Sequence, residues 1–397
     1  MQASPYGTSV KGFRDGAVPR FIRTDVLLAL ASVALIGCSI YTIASATSGD
    51  IPGDPNFFVY RQAAYAGVGI VLMLILSRVD YSRFREWKAG LYVAMIGLIV
   101  MTFALGSVAR GSRRAIDLGF ISLQTSEVGK VLLVLTLSAF VVDRMRRLGE
   151  RETTSRVMLL ALVPAMLVIA QPDLGSGLVY LAIVTAVLFV AGTKWTHFAG
   201  LGALAAVALA VVLVAAPAAG VELLKPYQMD RLTAFVNPTE NPAGQGYQQA
   251  QSLVAIGAGG KTGRGEQATQ TKLDFLPEHH TDFIFSVVGE EFGFMGTALV
   301  LSLFALLIWR CLRILTMSKN LYGSLIAGGV TAMLMFQVFV NVGMTVGIMP
   351  ITGVTLPLMS YGGSSVIVTF MALGLLQSIH AQARETALAK GPNPALI

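Results

Sequence analysis

Apolar residues run through this chain in long blocks separated by short polar breaks, and the blocks have the length that a lipid bilayer demands. A spanning helix needs roughly 20 mostly apolar residues at about 1.5 Å each. By that rule helices are predicted near 26–46, 59–77, 89–108, 126–143, 157–170, 174–191, 197–217, 283–310, 321–347 and 361–381. The fold class is therefore an all-α membrane protein of about ten transmembrane helices. The rhythm breaks once, at a large loop over residues 218–282. The chain divides into an N-terminal arm (1–25), helices one to seven (26–217), that loop, helices eight to ten (283–381) and a tail (382–397). The first apolar run is too long for a signal-peptide core, and no small-residue cleavage site follows it, so it reads as a retained span.

Composition supports lipid as the main solvent. Of 397 residues 54% are hydrophobic and only 13% charged, against about 25% charged in a soluble domain. Lys and Arg orient the spans, because cytoplasmic loops carry them in excess. Lys11, Arg14, Arg20 and Arg23 lie in the arm, and Arg78, Arg83, Arg85 and Lys88 after span two. Arg144, Arg146, Arg147, Arg151 and Arg156 follow span four, with Lys194 in the next even loop. Arg310, Arg313 and Lys319 follow span eight, and Arg384 and Lys390 lie in the tail. Ten alternating spans put all of these on one side, which makes both termini cytoplasmic and the large loop extracytoplasmic. The net charge of +7 follows from this pattern and calls for no nucleic acid.

Two outer segments break the charge rule. The loop between spans three and four carries Arg110, Arg113 and Arg114. Guanidinium forks there suit an anionic ligand such as a phosphate headgroup, or the loop is a short connector outvoted by its neighbours. The large loop carries Lys225, Arg231, Lys261, Arg264 and Lys272, but long loops translocate regardless of charge. Within it YQQAQSLVAI (247–256) is predicted as a short amphipathic helix at the membrane surface. The glycines at 257, 259, 260, 263 and 265 could let backbone approach a ligand closely. AIGAGGKT (255–262) falls one residue short of a phosphate-binding loop, and Lys261-Thr262-Gly263 has no SxxK nucleophile to serve; both matches are rejected.

The loop ends in LPEHHTDF, which places Asp282 at the outer boundary of span eight, within the first turn of that helix. A carboxylate there either caps the helix or, partly desolvated, acts as a general base. His279 and His280, with Glu278 and Asp282, suggest a metal site weakly, since adjacent histidines point different ways; none is assigned. Glu127 and Lys130 share one face of span four, as a self-neutralised pair or as part of a polar pocket. Of Glu290 and Glu291 in span eight, at least one is expected to anchor a helix contact. Asp173, Ser360, Ser364 and Ser365 fall in turns on the same outer face. Cys38 and Cys311 lie far apart in apolar runs and suggest neither a disulfide nor zinc.

Four long segments, in order, carry a resemblance to a known family: GSRRAIDLGFISLQTSEVGK (111–130), QPDLGS (171–176), FLPEHHTDFIFSVVGEEFGFMG (275–296) and NVGMTVGIMPITGVTLPLMSYGGSS (341–365). They resemble the shape, elongation, division and sporulation (SEDS) proteins over nearly all of residues 25–382. NVGMTVGIMPITG and the loop around Asn237 and Pro238 resemble the elongation branch more than the division branch. The resemblance implies a peptidoglycan glycosyltransferase of the bacterial cytoplasmic membrane, with its active site facing outward. Such an enzyme polymerises lipid II, a disaccharide-pentapeptide on an undecaprenyl pyrophosphate, with inversion at the anomeric carbon. It implies Asp282 as the catalytic base and lends weight to Arg113, Arg114, Glu127 and Lys130 in substrate binding, with Asp173, His280, Ser360 and Ser364 beside them. It further implies a class B penicillin-binding protein as partner and surrounding membrane lipids. No cofactor is required, and a divalent cation on the pyrophosphate is possible. One departure stands out: Ala115 follows the double arginine where the family often has Trp. The rival readings are a lipid II flippase or transporter and a non-catalytic scaffold of a cell-wall complex.

Overall fold

The structure, a computed structural model, describes residues 24–389 except 48, 52, 110–111, 118, 120–121, 212–216, 218–228, 230, 232–234, 236–244, 273–274 and 277. Arg110, Lys225, Asn237, Pro238, Lys390 and the basic residues of the N-terminal arm lie outside the described residues. In chain order the helices are α1 (Val26–Ala46), α2 (Phe57–Arg78), α3 (Lys88–Leu105), α4 (Thr125–Asp143), α5 (Arg151–Ala170) and α6 (Leu174–Val190). Then follow α7 (Trp195–Ala210), α8 (Gln245–Gly259), α9 (Thr269–Lys272), α10 (Ile284–Met317), α11 (Leu321–Thr345) and α12 (Gly363–Ala389). Eight of these are long and apolar enough to cross a membrane, and α6 and α7 are shorter apolar helices. They fall on the ten predicted blocks. Two boundaries move: α5 starts at Arg151, which lengthens the short fifth block, and α12 runs through part of the predicted tail.

Side-chain caps set several starts by satisfying the first free backbone N–H groups. Asp25 Oδ1 accepts from Leu28 N at 3.0 Å, Asp173 Oδ1 from Ser176 N at 3.1 Å, and Asn320 Oδ1 from Gly323 N at 2.8 Å. The core sits around α4, α11 and α12, the most buried of the long helices. α12 packs along α2, α11 against α6 and α10, and α1 against α10. Buried Asp25 also takes Arg310 Nε at 2.9 Å, while its backbone exchanges hydrogen bonds with Gln377 of 2.7 and 2.9 Å. One acidic residue thus joins α1, α10 and α12. Cys38 and Cys311 are both free.

The loops after α2, α4 and α10 meet at one end of the bundle. Arg85 Nη2 lies 2.7 Å from Asp143 Oδ1, Lys88 pairs with the same carboxylate, and Tyr81 OH donates to Asn320 Oδ1 at 3.1 Å. Loops 47–56, 278–283 and 346–362 meet at the other end, through Asp50 and His279 and through His280 and Tyr361. The segregation of the basic loops is the one that the Lys and Arg count predicts.

Two features of the second end were not foreseen. The short Arg-bearing loop is an antiparallel sheet, ordered β1 (Ser107–Ala109), β2 (Ser112–Asp117) and β3 (Ser122–Gln124). Ala115 on β2 stands opposite Ser107 and Gln124. Within the large loop, α8 does form, and one face of it is clamped to α10 and α11. Its Gln249, Ser252 and Ala255 are buried, and Ser252 Oγ lies 2.6 Å from Ser286 Oγ and donates to Thr345 O at 2.8 Å.

Two glycines at the end of α8 and just after it, Gly259 and Gly263, approach the backbone of α10, where a Cβ would fall 1.8 Å from Gly289 O and 2.0 Å from Glu291 O. Helix α10 breaks at Gly293 (φ 63°, ψ −157°), and the loop enters the gap. Phe294 N donates to Gly260 O at 2.9 Å and Met295 N to Lys261 O at 3.1 Å, replacing the lost helical bonds. Glu290 is the anchoring acid: its carboxylate accepts Gln270 N at 2.9 Å, Thr271 N at 3.0 Å and Thr271 Oγ1 at 2.7 Å. That backbone conformation at Gly293 is essentially reserved for glycine and costs other residues on the order of 1–3 kcal/mol. A Cβ at Gly293 would also fall 2.4 Å from Gly263 N. Gly293→Ala is therefore expected to lower the melting temperature of the detergent-solubilised protein by several degrees; an unchanged melt would refute this account of the break.

Candidate active site

Asp282 is placed by the turn 278–283. Glu278 adopts a left-handed conformation (φ 61°), and its carbonyl accepts Thr281 N at 3.1 Å and Phe283 N at 3.3 Å. Thr281 Oγ1 donates to Glu278 Oε2 at 2.9 Å, closing the turn on itself. Helix α10 starts at Ile284, with Phe283 at the cap position and no side-chain cap bond. Asp282 therefore precedes the helix rather than lying in its first turn, and Phe283 takes the cap position. Asn341, buried in α11, donates through Nδ2 to Asp282 O at 2.9 Å and to Val354 O at 2.8 Å. It ties the turn to the strand-like loop 351–356.

On that loop Gly353 has φ 73°, and a Cβ there would lie 3.6 Å from Asp282 Oδ2 and 3.8 Å from Arg231 Nη1. Carboxylate and guanidinium thus flank one bare stretch of backbone. Arg231 is held there by a 3.1 Å bond to Thr352 O.

Asp282 lines a cavity of about 580 Å³ between the turn, the sheet and the helix ends. Lys130 and Glu127 of α4, Arg61 and Tyr65 of α2, Gln337 of α11 and Ala115 of β2 share the wall, with the segment Tyr361–Ser365. Lys130 Nζ donates to Glu127 Oε1 at 2.6 Å, and both residues are 5% exposed or less. The sequence left open whether these two are a paired structural unit or part of a polar pocket. They are both. Burial pushes the Tyr361 hydroxyl up to about 12, with nearby Tyr65 adding to the rise and a hydrogen bond with Arg61 opposing it, so Tyr361 stays a neutral donor.

The remaining expected residues divide. Ser364 lines the cavity, where its Oγ donates to Ser122 O at 2.7 Å and accepts Gln124 N at 2.9 Å, joining β3 to α12; Ser365 lines it as well. Asp173 is occupied structurally: it caps α6, and its Oδ2 accepts from Gln124 Nε2 at 3.1 Å and Ser126 Oγ at 2.9 Å. Ser360 shapes its own loop by accepting Leu356 N at 2.8 Å. His280 packs behind the turn against Phe58 and Tyr361. Among the described residues these three are not in the cavity wall. Arg113 and Arg114 lie on β2, the strand that brings Ala115 to the wall; their side chains are outside the described set.

Sequence reasoning passed over Arg61, although a charge inside an apolar block is itself a signal. It had no means of finding Gln337, Tyr361 or the approach of Arg231, which depend on contacts distant in sequence.

Residues 23–385 match the model of the FtsW, RodA and SpoVE family, described as a cell cycle protein. The chain belongs to this, the SEDS, family. It is 36% identical over 366 residues to stage V sporulation protein E of Bacillus subtilis (strain 168), covering 91% of this chain and 98% of that one. It is 36% identical over 362 residues to peptidoglycan glycosyltransferase MrdB of Escherichia coli (strain K12), covering 90% and 94%. A chain solved in a study of how a peptidoglycan synthase complex coordinates polymerization and crosslinking matches with a TM-score of 0.76 at 32% identity, covering 91% of this chain and 98% of that one. As a SEDS member with this many apolar helices, the chain is a multi-pass protein of the bacterial inner membrane.

Proposed function

We propose that this SEDS-family peptidoglycan glycosyltransferase polymerises lipid II at the cavity around Asp282, on the extracytoplasmic side, during cell elongation. Asp282 takes the proton from the 4-hydroxyl of the acceptor GlcNAc as that oxygen attacks the donor anomeric carbon. Undecaprenyl pyrophosphate leaves from the opposite face, and the centre inverts from α to β. Developing charge on the leaving group is met by Lys130 and Arg61, with Arg113 and Arg114 from the sheet. One observation carries this reading: the Asp282 carboxylate, just before α10, and two cationic side chains, Lys130 and Arg61, open on the same cavity. The basic loops cluster at the far end of the bundle, which supports an outward-facing site. The likeness to MrdB and the elongation-type wording at 341–353 support the elongation role.

A class B penicillin-binding protein would crosslink the product, since no serine here has a lysine three residues on. The residue roles above need no cofactor, and a divalent cation on the pyrophosphate is compatible with them.

Lipid II in detergent, supplied to the purified chain with that partner and with crosslinking blocked, should yield glycan polymer. Movement of lipid II headgroups across sealed vesicles without polymer would instead favour a flippase. Arg113→Ala and Arg114→Ala should each raise the KM for lipid II by roughly tenfold, the scale of one charge-assisted hydrogen bond. Folded yield should fall less than that; equal loss of both would make the arginines structural.

A further inference from the structure

The turn that presents Asp282 carries two histidines that the polymerisation chemistry leaves unused. His279 is buried and His280 partly buried, and Asp50 of the α1–α2 loop reaches both from an exposed position. His279 Nε2 lies 3.3 Å from Asp50 Oδ2, and His280 Nδ1 lies 4.0 Å from the same oxygen. One ligand atom from each residue falls within 4.8 Å of the others. Adjacent histidines diverge in an extended chain. Here the tight turn after Glu278 aims both rings at one carboxylate from a distant loop.

The tautomer follows from the surroundings. His279 Nδ1 lies 3.2 Å from the carbonyl oxygen of Leu276, which can only accept, so Nδ1 carries the proton. In the neutral ring Nε2 then turns its lone pair toward the carboxylate. A backbone carbonyl bonded to the far ring nitrogen is the arrangement that fixes and orients metal-ligating imidazoles. The second ring is held independently, 4.8 Å from the Phe58 ring and 5.7 Å from the Tyr361 ring, while Tyr361 N donates to His280 O at 2.9 Å.

We propose that Asp50, His279 and His280 form a site for a divalent transition metal, of the borderline kind that zinc represents. Two imidazoles and one carboxylate suit zinc, whereas magnesium and calcium prefer all-oxygen sets. Tetrahedral ligation would hold the ligand atoms about 3.4 Å apart. Asp50, the most exposed of the three, can close that difference and leaves a coordination position to water. The bound metal would tie the α1–α2 loop to the turn that carries Asp282.

The test uses the full chain in detergent, stripped with a chelator and titrated calorimetrically with zinc and, separately, with magnesium. One zinc per chain is expected to bind with micromolar or tighter affinity and to raise the melting temperature, with magnesium doing neither. Asp50→Asn and His279→Gln should weaken zinc binding at least tenfold, whereas His197→Gln, in the first turn of α7 beside Thr154 of α5, should leave it unchanged. Because Asp50→Asn alters an exposed carboxylate by one atom, its folding serves as the control. Cobalt should give a tetrahedral absorption band that Asp50→Asn abolishes. Absence of stoichiometric zinc binding, or equal binding by Asp50→Asn and wild type, would overturn the proposal; the first result would leave the trio as a histidine–aspartate ion pair.

Discussion

Asp282→Asn is expected to lower the kcat of glycan polymerisation by roughly 10²–10⁴-fold, the range supplied by a positioned general base. The KM for lipid II should stay within a factor of a few. The amide matches the carboxylate in shape but cannot accept the acceptor hydroxyl's proton at neutral pH. Folding should survive, for two reasons. The cap position of α10 belongs to Phe283, and Asn341 binds the backbone carbonyl of residue 282, which the substitution keeps. Binding should survive because Lys130 and Arg61, the cations on the cavity wall, are unchanged. Initial rates over a range of lipid II concentrations separate the two parameters. A rise in KM with kcat unchanged would make Asp282 a binding group and leave the base unassigned.

Lys130→Met should act on folding and catalysis together. It strands Glu127, 5% exposed, without its 2.6 Å partner, and breaking a buried pair from one side costs about 3–5 kcal/mol. The expected result is a large loss of folded protein after solubilisation. The double replacement Glu127→Gln with Lys130→Met removes both charges, and folded yield should recover. Polymerisation should not recover, because the cavity has lost a cation facing the leaving group. Chromatographic yield and polymer formation, measured on the same preparations, decide between the roles. If the double variant regains both, the pair is structural only.

Much of this architecture was legible because its signal is coarse. Ten apolar blocks and one-sided basic loops follow from the bilayer's thickness and from charge asymmetry, and local breaks such as the start of α5 move them only by residues. The sheet at 107–124 escaped because strands of three, six and three residues are too short for alternation to register. The site was legible at Asp282, Glu127 and Lys130, which sit in long motifs. Arg61, a charge within an apolar block, was legible but passed over, whereas Arg231, which meets Gly353 across the large loop, was not legible. Asp173 and Ser360 show the opposite error: polar residues in conspicuous turns whose bonds go to the fold itself. Spacing along a chain predicts which residues share a helix face, but not which loops meet at the end of a bundle.

The central claim is that one carboxylate, Asp282, drives an inverting transfer in this cavity. It is tested most directly by the glycan that wild type and Asp282→Ala make from α-linked lipid II, in complex with the crosslinking partner and with crosslinking blocked. The account predicts β-linked, muramidase-digestible polymer from wild type and none above background from Asp282→Ala at matched folded protein. Polymer from Asp282→Ala at the wild-type rate would contradict it.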